Sequence, residues 1–152
     1  SGIAGMTFIT GTPTSCTKHF GHVKDRRCEL MVGRSAGITS RHYIDCTGGV
    51  YVGEFTTVAG IRSQILSHSI DVYQNRQDAA PVRLGKYCFI GTGCIILPGS
   101  SLPDYSVLGA GGVLTRRQSE THMVYAGSPA RPVKKLNDME ILYFKRSRHF
   151  VD

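Results

Sequence analysis

The sequence predicts an all-β protein, a parallel β-helix coiled from six-residue repeats, and three observations predict it. First, Leu84, Ile90, Ile96, Leu102, Leu108 and Leu114 stand six residues apart without a break. Neither a helix of period 3.6 nor a strand of period 2 requires that step, whereas each hexad of a β-helix forms one short side of a coil. Second, Val82, Cys88, Cys94, Ser100, Ser106 and Gly112 stand two residues before those aliphatics, and all but the first are very small. Third, glycine follows the aliphatic at Gly85, Gly91 and Gly109. The aliphatic fills the interior, the small residue fits a tight inner position, and glycine permits the turn.

Length and composition agree. A chain of 152 residues is one domain by default and long enough to bury a core. Its 18 glycines and 19% charged residues fit a turn-rich β protein rather than a disordered one. No apolar stretch approaches the ~18 residues of a membrane span, and no basic start followed by an apolar run marks a signal peptide. Of the five cysteines, Cys88 and Cys94 occupy the small inner position and read as packed, reduced thiols, which points to the cytoplasm. The net charge of +7 calls for an anionic partner, and eight of the 18 Lys and Arg lie between Arg116 and Arg148. No aromatic-interleaved basic stripe or nucleic-acid motif accompanies them, so no nucleic acid is expected.

In chain order, residues 1–31 form a lead-in whose Thr7–Thr10 and Glu29–Val32 read as strands around a polar, His- and Lys-bearing excursion. The β-helix domain spans 32–131. Val32, Ile38 and Ile44 keep the six-residue step, the phase slips by two as at a corner insertion, and Val52 and Val58 resume it. From Ile70 to Arg83 the pattern stops in a polar, proline-ended stretch that reads as a loop leaving the coil. The strict array ends near Thr115. Tyr125–Pro132 is an extended, proline-punctuated exit. A tail, 132–152, carries a short C-terminal helix, with Asn137 as N-cap, Glu140 three residues on, and Leu136, Met139 and Tyr143 as the apolar face.

The segment IGTGCIILPGSSLPDYSVLGAGGVLTRR, followed by AGSPARPVKKL, resembles the hexapeptide-repeat acetyltransferases, in the branch with maltose, galactoside and nodulation-factor acetyltransferases. The resemblance runs from about Val32 to Leu136 and is most specific from Leu84 to Arg131. It implies a left-handed winding with three hexads per coil, a homotrimer, and acetyl-CoA lying in clefts between neighbouring coils.

It also implies roles for particular residues. His68, in LSHSID where coil gives way to loop, falls at the family's catalytic histidine. The chemistry suits it, because an imidazole can take the proton of an attacking hydroxyl or amine at neutral pH. His42, in TSRHYID, is the rival, and reads as an outward-facing corner residue. Thr92, in IGTG, matches the position whose backbone N–H faces the thioester oxygen as negative charge develops. Gly109, Ala110 and Gly111 are small enough for a pantetheine arm to approach the backbone. Thr115, Arg116, Arg131 and Lys134 match the residues near the nucleotide and its phosphates. Arg117 departs from the family, which commonly has an acidic residue there. Phe89 matches an aromatic that walls the acceptor pocket, or is simply a corner hydrophobe. Asp71 and Tyr73 in the loop are candidate acceptor contacts, and Asp45 and Asp71 both compete as the carboxylate assisting the histidine.

The reading is an acetyl-CoA-dependent O-acetyltransferase acting on a saccharide-type acceptor by direct attack on the thioester, with no metal. Alternatives are N-acetylation of an amino sugar, a γ-carbonic-anhydrase-like metal-dependent protein, and a non-catalytic scaffold. His68 lacks the close second histidine pair of the anhydrases. Cys16, His19, His22 and Cys28 have donor types suited to zinc, but their spacing is not a standard finger.

Overall fold

Three parallel sheets form the sides of a triangular coil in the computed structural model, which describes residues 1–149 and 151. The first face carries Gly2–Ile3, Gly37–Ile38, Thr57–Val58, Phe89–Ile90, Val107–Leu108 and Met123–Ala126, closed by the antiparallel strand Arg131–Lys135. The second stacks Phe8–Thr10, Tyr43–Asp45, Gln64–Leu66, Ile95–Ile96 and Val113–Leu114. The third stacks Leu30–Val32, Val50–Val52, Val82–Leu84 and Ser101–Leu102. The chain visits the faces in that order. Leu84 pairs with Leu102, Ile90 with Leu108 and Ile96 with Leu114, each three hexads on.

Register explains the repeat. All six aliphatics of the strict array point inward and are at most 3% exposed. Burying such a side chain contributes roughly 1.5–3 kcal/mol, so the column is the core. Cys88 and Cys94, at the small position, are fully buried, and their thiols donate to the carbonyls of Pro103 and Gly109 in the next coil. Burial pushes the Cys88 thiol up to about 12, so it stays protonated and inert.

Corners leading from the third face to the first carry left-handed residues with side chains: Phe55, Tyr87, Tyr105 and His122. Their rings stack, with centroids 4.7, 5.4 and 4.8 Å apart in sequence. Aromatic pairs worth about 0.5–1.5 kcal/mol each offset the strain of a non-glycine residue there.

The structure revises three sequence readings. The first ten residues of the lead-in belong to the coil: Gly2–Ile3 pairs with Gly37–Ile38, and Phe8–Thr10 with Tyr43–Asp45. Ile3 and Ile9 stand one six-residue step apart and pair with Ile38 and Ile44, which keep the same step, but a single step is too short to show as a repeat. The stretch 70–83 is not an open loop. His68–Asp71 and Arg76–Ala79 form an antiparallel hairpin, and Val82–Leu84 already belongs to the third face. The C-terminal helix is two 3-10 turns, Asp138–Glu140 and Leu142–Lys145, separated by extended Ile141. Asn137 caps the first turn as expected, but Met139 is 80% exposed, so no apolar helical face forms. Instead Phe144 packs against Tyr105 and His122, while the Tyr143 hydroxyl lies 2.9 Å from the Cys88 carbonyl. Docking onto the aromatic ladder prevails over helix continuation.

Candidate active site

Both long insertions leave the coil at one corner, between the second and third faces. One is the excursion 11–29, after Phe8–Thr10; the other is the hairpin 68–79, after Gln64–Leu66. Between them the middle coil turns tightly at Cys46–Gly49, where the two-residue phase slip falls. His68 begins the hairpin on this corner.

Asp45, the last residue of Tyr43–Asp45, lies directly beside His68. Its Oδ2 is 2.6 Å from His68 Nδ1, and its side chain is 2% exposed against 39% for His68. The carboxylate is fully engaged. Oδ1 accepts from the Thr47 amide at 3.2 Å and the Thr47 hydroxyl at 2.7 Å. Oδ2 also accepts from the amides of Ser67 at 3.1 Å and His68 at 3.0 Å. Burial alone would raise the Asp45 pKa. The hydrogen bonds from His68 and Thr47 prevail and hold it below the ordinary carboxylate range. An ionised carboxylate only accepts, so His68 Nδ1 carries the proton and donates it. The neutral ring then presents an unprotonated Nε2, the lone pair a general base needs.

The other histidine is built differently. His42 is 1% exposed, not outward-facing as expected. Its Nδ1 accepts from the Ser63 amide at 3.1 Å and its Nε2 lies 3.0 Å from Thr39 Oγ1. Both ring nitrogens are occupied, and burial pulls its pKa down, so His42 is a neutral structural residue.

The excursion 11–29 reaches the same place. Phe20, 4% exposed, meets the His68 ring edge-on, at 6.3 Å between centroids. Arg26 lies over Phe20 at 4.6 Å. His22 Nε2 approaches Asp78 of the hairpin at 3.4 Å. Lys18, His19, Ile70, Asn75, Arg76 and Gln77 line a cleft of about 340 Å³ between excursion and hairpin. Within the hairpin, Asp71 Oδ1 accepts from the amides of Tyr73 and Gln74, so Asp71 shapes the tip, where Tyr73 is 94% exposed.

Thr92 stands at the opposite end of the second face, on the corner after Phe89–Ile90. Its hydroxyl bridges both backbone groups of Ile61, and its carbonyl accepts from the Gly111 amide at 2.9 Å. Among the described residues its own amide finds no acceptor. Gly109, Ala110 and Gly111 continue the same corner in the next coil. Gly111, at φ +69°, has open space where a Cβ would stand. Arg131 pairs with Ala126 and Lys134 with Val124, both exposed at the end of the first face. Phe89 is 36% exposed on that face and contacts Tyr143 edge-on. Thr115 and Arg116 follow Val113–Leu114, and so lie at the far end of the second face from Gly109–Gly111.

One chain therefore brings together His68, Asp45 and the hairpin, and separately Thr92 with Gly109–Gly111, but does not bring His68 to Thr92. Asp45, one of two carboxylates left open by the sequence, is the one in contact. Phe20 and Arg26 had no sequence signal beyond lying in a His- and Lys-bearing stretch. The suspected zinc set does not assemble: among the described residues no three His, Cys, Asp or Glu side chains gather to hold a metal ion.

No family model matches the chain. Over 64 residues, 42% of its length, it is 34% identical to the galactoside O-acetyltransferase of Escherichia coli (strain K12), and that match spans 31% of the relative. Among solved structures it is similar to a maltose O-acetyltransferase from Clostridium difficile 630, at TM-score 0.64 and 21% identity over 89% of this chain and 69% of that one. It is also similar to a hexapeptide-repeat acetyltransferase from Vibrio cholerae complexed with acetyl-CoA, at TM-score 0.70 and 16% identity over the same shares, 89% and 69%. The chain is thus a left-handed parallel β-helix protein, similar in fold to the maltose and galactoside acetyltransferases and, over 64 residues, in sequence to the galactoside O-acetyltransferase.

Proposed function

We propose that this protein transfers the acetyl group of acetyl-CoA to a hydroxyl of a saccharide-type acceptor, with His68 as general base. The observation that carries the reading is the His68–Asp45 pair: a half-exposed imidazole whose Nδ1–H is committed to a buried carboxylate 2.6 Å away, leaving Nε2 for the acceptor. His68 Nε2 takes the acceptor's proton as its oxygen attacks the thioester carbonyl. Asp45 stabilises the imidazolium. Collapse of the tetrahedral adduct expels the CoA thiolate, which recovers the proton from His68.

The free Thr92 amide suits the developing oxyanion. Gly109, Ala110 and Gly111 leave the corner bare for a pantetheine arm, and exposed Arg131 and Lys134 suit phosphates. Thr115 and Arg116, at the corner that bears His68 two coils earlier, offer phosphate contacts from the opposite end of the face. Because His68 and Thr92 stand at opposite ends of one face, the complete site joins the His68 corner of one subunit to the Thr92 corner of another, in a homotrimer. The cleft between excursion and hairpin offers Asn75, Gln77 and Lys18 to sugar hydroxyls.

An acceptor screen with acetyl-CoA, reading release of free thiol, tests the proposal. Acetyl transfer to one class of saccharide is expected. Thiol release that no hydroxyl acceptor stimulates, with transfer to amino sugars alone, would move the reading to N-acetylation.

A further inference from the structure

Among the described residues, the excursion 11–29 holds a buried cation with no carboxylate on it. Arg26 is 8% exposed, and its guanidinium donates to the carbonyls of Thr12, Pro13, Thr14, Cys16 and Thr47. Nη1 and Nη2 make all five contacts, Nη2 sharing its hydrogens among Pro13, Thr14 and Cys16, and the acceptors come from two parts of the chain. Four belong to the excursion. The fifth, Thr47, is the residue whose amide and hydroxyl grip Asp45 Oδ1, and the Thr12 amide donates to that same hydroxyl at 3.0 Å. On its flat side, Arg26 covers Phe20, which abuts the His68 ring.

Arg26 thus reaches the imidazole by two routes: through Thr47 to the carboxylate that holds Nδ1, and through Phe20 to the ring itself. One hydrogen bond at Nδ1 leaves the imidazole free to pivot about that bond. A buried aromatic wall beside the ring removes the pivot and sets the direction of Nε2.

We propose that Phe20 is a positioning residue for His68 and that Arg26 is the anchor that fixes both Phe20 and the Asp45 turn. The excursion is then part of the catalytic apparatus rather than a surface embellishment. The assignment rests on His68 acting as base, and its test includes a measurement that does not depend on turnover.

Phe20→Ala, Phe20→Tyr and Arg26→Lys are compared with the wild type in the full chain. Phe20→Ala is expected to lower kcat about 10- to 100-fold with the KM for acetyl-CoA unchanged, the scale of a small misplacement of a reacting group. Phe20→Tyr, which keeps the flat ring, is expected to restore most of kcat. Arg26→Lys, with one point charge in place of a planar fork, should behave like Phe20→Ala. In parallel, ¹⁵N NMR of the His68 ring should show a single Nδ1–H tautomer in the wild type and an exchange-broadened ring in Phe20→Ala. Unchanged kcat together with an unchanged His68 spectrum in a folded Phe20→Ala protein overturns the proposal. So does a loss of kcat matched by an equal loss of acetyl-CoA affinity, which would be general disorder. If Phe20→Ala does not fold, Arg26→Lys decides by the same criterion, and a folded Arg26→Lys protein with unchanged kcat and an unchanged His68 spectrum overturns the proposal. A wild type without acetyl transfer, but with the ring ordered only when Phe20 is present, would refute the proposed reaction and leave the positioning intact.

Discussion

At the scale of single residues, the protein separates two histidines by the number of ring nitrogens they leave free. His42 spends both on the fold, whereas His68 spends one on Asp45. His68→Ala should therefore fold normally and lose turnover by roughly 10²–10⁴-fold, the usual worth of a general base. Thermal melting and steady-state rates on one preparation check both halves. Retained turnover would remove His68 from the mechanism. Asp45 carries a second, independent signature. Its folded pKa lies below that of an unfolded aspartate, about 3.9. The stability this contributes is complete above about pH 4 and is lost as pH falls through the folded value. Asp45→Asn should be less stable than wild type at neutral pH, with the gap closing below about pH 4. Melting temperatures from pH 7 to pH 2.5 measure it, and a gap indifferent to pH would mean that Asp45 is not held as a carboxylate.

Among the elements, the hairpin is set by how closely the coil beneath it can approach. A Cβ on Gly48 would stand 2.5 Å from the Ser67 carbonyl oxygen and 2.9 Å from the Ala80 amide nitrogen, the two residues that flank the hairpin's base. Those atoms are backbone and cannot swing aside. Gly48→Ala should cost about 1–3 kcal/mol, as overpacking does, and should lower kcat by shifting His68. Chemical denaturation measures the first effect and steady-state rates the second. A neutral Gly48→Ala would show that the corner is looser than drawn. The neighbouring Thr47 connects the same turn to Asp45, so one short corner, Cys46–Gly49, supports His68, Asp45 and the hairpin together.

For the whole molecule, the separation of His68 and Thr92 on one face would, in the proposed function, make the site a property of the assembly. Coexpressing His68→Ala with a variant that blocks the other corner, Ala110→Trp, tests this directly. Each variant alone should be inactive. In a mixed ring with random composition, about one quarter of sites pair an intact His68 corner with an intact Ala110 corner, so about one quarter of activity should return. No recovery in demonstrably mixed oligomers would place the whole site within one subunit. The mass of the wild type in solution, expected to be three times that of the chain, checks the assembly itself.

The hexad array determined the interior, because in a coil every sixth residue meets the same environment and a wrong one is felt at once. Leu84 to Leu114, with the small residues before them, can be read without coordinates for that reason. His68 drew attention because it falls where the period breaks, beside a motif. Of the residues around His68, the sequence offered only Asp45, in competition with Asp71. Asp45 and Thr47 come from one stretch of chain and Phe20 and Arg26 from another, and they meet through hydrogen bonds and a ring contact, which impose no spacing on the sequence. Phe8–Thr10 was read as a strand but not as part of the coil, because Ile3 and Ile9 give only one six-residue step and both stay largely exposed at its open end. The expected C-terminal helix had a true cap at Asn137, but packing of Phe144 on the aromatic ladder decided its course. Local periodicity thus determined the coil, and only the tertiary structure decided which residues surround His68, because that choice depends on which corners the coil brings side by side.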